Sequence, residues 1–158
     1  MRASRKKAFL TLRPHRNILA DLDLIAFLPQ IIEKLPFGHS LPYHLVNVGA
    51  DQPTPSGALF LLGTPSMISE FEAAGFESCA DSADDVPDVI VAAFDMTLRY
   101  ERLCRAAWWI KQGVPYIATN PDRVCPTDQP TVLVDCGSIC ACLEHATGRR
   151  PDITLGKP

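Results

Sequence analysis

The sequence predicts an α/β domain, an open sheet covered by about three helices, from Ala58 to Leu155. Three observations carry that expectation. Uninterrupted apolar runs recur at 58–62, 89–93 and 116–118, as in strands buried on both faces. Each run is followed, at once or after a polar loop, by a segment whose apolar residues keep helical spacing. Each of those segments then closes on a glycine, at Gly75, Gly113 and Gly148.

Taken in order, Ala58 to Leu62 forms the first strand, and Gly63-Thr64-Pro65 opens a helix. Thr64 suits the N-cap, and Pro65 the first helical position, where a missing N–H costs nothing. Ile68, Phe71 and Ala74 mark its inner face, with Glu70 and Glu72 outside. An acidic loop with Asp81, Asp84 and Asp85 leads to a second strand, Asp88 to Phe94. Thr97 is the expected cap of the second helix. Its inner stripe reads Tyr100, Leu103, Cys104, Ala107 and Trp108; Trp109 falls off that stripe and is expected to cover a neighbouring element, with a partner contact as the alternative.

The stretch Val114 to Asp122 is a strand running into an Asn-Pro turn. Pro121 biases Asn120 toward an extended backbone, so the chain must turn away there. Thr119, Asn120 and Asp122 then present a hydroxyl, an amide and a carboxylate just past the strand's end, where open α/β sheets hold ligands. Arg123 to Pro130 reads as a polar loop and Thr131 to Val134 as a short strand. In the third helix, Cys136 to Thr147, residues Cys136, Ile139, Cys140 and Leu143 share one face. Ile153 to Leu155 starts one more strand.

Residues 1–57 have a different character. Met1 to Arg16 is basic, with Arg2, Arg5, Lys6, Lys7, Arg13 and Arg16 and no acidic residue. A solvated terminus is the favoured reading, with a mitochondrial presequence or a basic arm as alternatives. Ile18 to Leu35 keeps partial helical spacing, broken at Pro29, and Pro36 to Gly57 is rich in Pro and Gly, as linkers are.

Composition narrows the function classes. A 158-residue chain with 47% hydrophobic and 21% charged residues is sized for one soluble globular domain. A formal net charge of -3 argues against a dedicated nucleic-acid binder, and no apolar run approaches the roughly twenty residues of a membrane span. The cytoplasm is the expected compartment. Six cysteines occur without a C-x-x-C pair, and His145 is poorly spaced for a zinc finger, so packed thiols are expected and no metal site.

From Ala58 onward the order of motifs resembles the haloacid dehalogenase (HAD) superfamily phosphatases of subclass IIA, the NagD and 4-nitrophenylphosphatase group. The matching text is L-G-T-P-S-M at 62–67, E-F-E-A-A-G-F at 70–76, A-F-D-M-T-L-R-Y-E-R-L at 93–103, A-A-W-W-I at 106–110, Y-I-A-T-N-P-D at 116–122, A-T-G-R-R-P-D at 146–152 and the terminal L-G-K-P. The resemblance implies that residues 58–155 are the large α/β cap domain of that subclass, and that 156–158 begin the returning core segment with the third catalytic motif. It also implies hydrolysis of a small phosphorylated metabolite through an aspartyl-phosphate, with Mg2+ between carboxylates and phosphate. Lys157 matches the motif lysine that places positive charge beside the phosphoryl oxygens. Thr119, Asn120, Pro121 and Asp122 would line the substrate entrance, and a cap acting in partner binding or in self-association, giving a homodimer, is the non-catalytic alternative.

The sequence also departs from the family. Its nucleophile motif is an apolar strand ending in D-x-D-G-T, whereas Asp21-Leu22-Asp23 is followed by Leu24 and Ile25. Without Gly the turn that frees the first carboxylate cannot form in the same way. A second-motif T-N-N type segment is absent, and the acidic motif that ligates Mg2+ would follow Pro158. The expectation is therefore a phosphatase cap with the motif lysine but without nucleophile or metal ligands, preceded by a foreign or frame-shifted segment over residues 1–57. An unrelated nucleotide-binding module would need a Gly-rich phosphate loop, which is not found.

Overall fold

The computed structural model describes residues 57–156; Asp21, Asp23 and Lys157 lie outside them. Strand β1 (Ala58–Leu62) leads into helix α1 (Pro65–Ala73), followed by β2 (Glu77–Ser78) and β3 (Val89–Ala92). Helix α2 (Tyr100–Lys111) and strand β4 (Tyr116–Ala118) come next. The short strands β5 (Val124–Cys125) and β6 (Leu133–Val134) precede α3 (Cys136–Thr147) and β7 (Ile153–Thr154). Five strands form one parallel sheet in the order β2-β1-β3-β4-β7, while β5 and β6 pair antiparallel as a separate ribbon. No helix among the described residues is long and apolar enough to cross a membrane.

Strand alternation sends the two halves of each apolar run to opposite faces. Leu59, Leu61, Val89, Val91 and Ile117 meet Met67 and Phe71 of α1 on one side. Phe60, Leu62, Ile90, Ala92, Tyr116 and Ala118 meet α2 and α3 on the other. The first helix begins as expected: Thr64 Oγ1 accepts from Met67 N at 3.4 Å, with Pro65 in the first turn. Its deepest residues are Met67 and Phe71, with Ile68 half-buried and Ala74 packed at the rim.

The second helix is rotated relative to the expected stripe. Its buried residues are Ala106, Trp109 and Ile110; Trp109 is 6% exposed and Trp108 is 49% exposed. Tyr100, at 77%, and Cys104 also face solvent. Thr97 is not its cap. Its N–H and hydroxyl both donate to Asp95 Oδ1 at 2.7 Å, and the helix starts after Arg99. The third helix matches its expectation, with Cys136, Ile139, Cys140 and Leu143 buried. Gly148 closes it at φ 75, a left-handed conformation that favours glycine.

Two arginines tie the helices to the sheet. Arg102 lies over the Phe60 ring at 4.6 Å and donates to Leu61 O at 2.7 Å and Asp81 Oδ1 at 2.9 Å. Arg149 reaches back to the end of α2, donating to Ile110 O at 2.8 Å and Val114 O at 3.3 Å. Its other nitrogen pairs with Asp152, whose carboxylate also accepts from Tyr116 N at 2.8 Å. The A-T-G-R-R-P-D motif is thus a joint between α2, α3, β4 and β7.

Candidate functional site

The carboxyl ends of four strands are level. Leu62 is in register with Ala92, Ala92 with Ala118, and Ala118 with Thr154. One further backbone bond continues each ladder: Ala93 N to Leu62 O at 2.8 Å, Thr119 N to Ala92 O at 2.9 Å, and Leu155 N to Ala118 O at 2.9 Å. The loops after β1, β3 and β4 therefore leave the sheet side by side, at the edge where parallel α/β sheets bind ligands. Leu155, two residues before Lys157, leaves at this same edge.

Thr119, Asn120, Pro121 and Asp122 follow β4 directly, as the sequence predicts. The Asn120 side chain is largely spent on the turn itself. Its Oδ1 accepts from Asp122 N at 2.9 Å, and its Nδ2 lies 3.5 Å from Thr119 Oγ1. An Asx turn of this kind supplies the bend that Pro121 demands. For a ligand the loop can offer an amide N–H, the Thr119 hydroxyl and the Asp122 carboxylate.

Beneath the loop lies a buried group of sulfur and phenol. Cys136 Sγ donates to Ala92 O at 3.1 Å and stands 3.8 Å from Cys140 Sγ. The Cys136 thiol is held below its ordinary value, first by its hydrogen bond with Cys140 and then, against burial, by the backbone of Asn120 and the Thr119 hydroxyl. The same contact, with burial, pushes Cys140 up. Tyr116 is pushed up mainly by burial and then by Cys140. The Cys136 sulfur thus touches both the third strand and the loop of the fourth.

Asp95, also at this edge, escapes the sequence reading. It is buried, with Oδ1 engaged by Thr97. Its signal, an Asp two residues before a Thr just past a strand, is that of an Asx turn as much as of a site. Among the described residues no three His, Cys, Asp or Glu side chains converge to hold a metal ion.

No protein-family model matches the chain. It is 33% identical over 109 residues to D-glycerol 3-phosphate phosphatase of Mycobacterium tuberculosis, a match covering 69% of this chain and 30% of that protein. Among solved structures, 4-nitrophenylphosphatase of Thermotoga maritima is 43% identical with a TM-score of 0.58, covering 66% of this chain and 38% of that one. Glycerol phosphate phosphatase of Mycobacterium tuberculosis in complex with magnesium is 31% identical with a TM-score of 0.56, covering 65% and 31% respectively. The chain spans about a third of the length of the relatives it matches. Over roughly two thirds of its own length, in motif order, topology and sequence, it is similar to the HAD phosphatases of subclass IIA, the NagD and 4-nitrophenylphosphatase group.

Proposed function

We propose that residues 58–155 are the substrate-gating cap of a phosphatase acting on small phosphate monoesters, with Thr119, Asn120, Pro121 and Asp122 lining the substrate entrance. The observation that carries this reading is the level carboxyl edge, from which the loop of β4 and the run toward Lys157 depart together. Lys157 is assigned the positive charge beside the phosphoryl oxygens. The magnesium that accompanies a solved relative would neutralise charge between carboxylates and phosphate. Among the described residues no donor set for it converges, and residues outside 57–156 would supply its ligands.

The sequence holds no D-x-D-G-T segment, so the reading includes a cap that does not turn over substrate by itself. A magnesium-dependent assay with 4-nitrophenyl phosphate on the purified chain tests this. No hydrolysis above buffer is expected. Turnover that Lys157→Ala abolishes would overturn it and make the chain a working hydrolase.

One observation favours a non-catalytic role in self-association. Tyr100, Cys104 and Trp108 stand four residues apart along α2 and face solvent, an apolar line of the kind that helices bury against a partner. Sedimentation velocity on the full chain and on a Tyr100→Ala/Trp108→Ala variant separates the two readings. A wild-type dimer that the variant dissolves supports the second; a monomer removes it.

A further inference from the structure

The loop Thr119 to Arg123 is seated on four consecutive residues at the start of α3. Asp135 N donates to Arg123 O at 3.0 Å, and Gly137 N donates to Asp122 O at 2.7 Å. Ser138 Oγ donates to Arg123 O at 2.7 Å, while Cys136 Sγ bonds Ala92 O and lies against Thr119 and Asn120. These N–H groups belong to the first turn of a helix and have no partner within it, so a loop carbonyl satisfies them. The approach is close enough to forbid a side chain. A Cβ on Gly137 would stand 2.3 Å from Pro121 O and 2.8 Å from Asp122 O, both backbone atoms that cannot swing aside.

Satisfying helix N–H groups does not require such a close approach. Gly137 lets the loop backbone settle directly onto the helix end, which fixes the height of residues 119–122 above the strand ends. We infer that Gly137, with Cys136 and Ser138 on either side, is the positioning residue of the substrate loop, setting where the Thr119 hydroxyl, the Asn120 amide and the Asp122 carboxylate stand. This rests on the reading of 119–122 as substrate-facing. None of the three need touch the substrate, because they act through the loop's backbone.

Backbone amide NMR on the full chain, with 4-nitrophenyl phosphate as the titrated probe, tests both layers. In the wild type, probe-dependent shifts are expected at the amides of Thr119, Asn120 and Asp122. In Gly137→Ala these amides should already move without probe, while those of β1 and β3 stay in place, and probe affinity should fall by roughly fivefold or more. Ser138→Ala, which removes one bond and adds no bulk, is the milder variant should Gly137→Ala fail to fold. It should shift the same amides by less, and Ser138→Thr, which keeps the hydroxyl, should restore them. Loop amides that stay at wild-type positions in folded Gly137→Ala, or in Ser138→Ala if the former does not fold, would overturn the positioning role. A wild type whose loop ignores the probe would overturn the substrate-facing reading instead, and the probe-free spectra would still decide the positioning one.

Discussion

Removing the guanidinium of Arg149 should open the joint between the two helices of one face and the last two strands of the sheet. In Arg149→Ala, two carbonyls, Ile110 O and Val114 O, lose their bonds at 2.8 and 3.3 Å, and Asp152 loses its cation while still holding Tyr116 N. Charge-assisted hydrogen bonds contribute about 1.5–3 kcal/mol each when partly buried. The pair is screened, with the two side chains 28% and 17% exposed, so the ion-pair share is at most about 1 kcal/mol. The 3.3 Å bond is too long to count in full, so the 2.8 Å bond and the ion pair together give a loss of roughly 1.5–4 kcal/mol. With a urea m-value of about 1.5 kcal/mol/M, the unfolding midpoint should drop by about 1–2.7 M. Arg150 is the control, since its pair with Glu144 is exposed and Arg150→Ala should leave the midpoint unchanged. A shift below about 0.5 M for Arg149→Ala, or equal shifts for both variants, would refute the idea that this motif is structural.

The adjacent tryptophans should separate cleanly in the same assay. Trp109→Ala creates a core cavity and should cost about 3–5 kcal/mol, whereas Trp108→Ala should cost under about 1 kcal/mol. Equal losses would mean that α2 is rotated from the orientation described. Stability should also fall in alkali. The Cys79 thiol is pushed up to about 12 from 9.0 by burial and then by Asp85, so between those values the unfolded chain loses this proton while the folded one keeps it. The contribution is complete below pH 9 and is lost as pH rises toward 12, at up to about 1.4 kcal/mol per pH unit. Cys140 and Tyr116 shift in the same direction and steepen the fall; Cys136, held down to about 7, adds stability only as pH rises from about 7 to 9 and leaves the decline above 9 untouched. Urea midpoints measured from about pH 9 to 11 should decline, and decline less in Cys79→Ala; a flat profile would contradict the burial of these groups.

What the sequence made legible depended on whether local pattern and tertiary packing agreed. In α3 they do: Cys136, Ile139, Cys140 and Leu143 are the apolar positions at helical spacing and also the buried ones. In α2 they compete. Apolar residues surround much of that helix, so a stripe through Trp108 and one through Trp109 both satisfy the period. The choice falls to Arg102, drawn inward by Leu61 O and the Phe60 ring, which turns Ala106 and Trp109 to the sheet. Thr97 was a plausible cap because its hydroxyl precedes a helix, but Asp95 offers it a nearer acceptor. The turn at Asn120-Pro121 was readable because proline restricts its neighbour whatever surrounds it. Its seat was not readable, since Gly137 lies fifteen residues beyond Asp122 and only the folded chain brings them together.

The β5–β6 ribbon, within the fourteen residues between Asp122 and Gly137, stands outside the main sheet. Val124, Val132 and Val134 on it face outward. A change in its length therefore leaves the register of the main sheet untouched. Lengthening it between Pro126 and Pro130 would enlarge the excursion that follows the Thr119 to Asp122 loop while the main sheet stays fixed, leaving it free to vary in sequence.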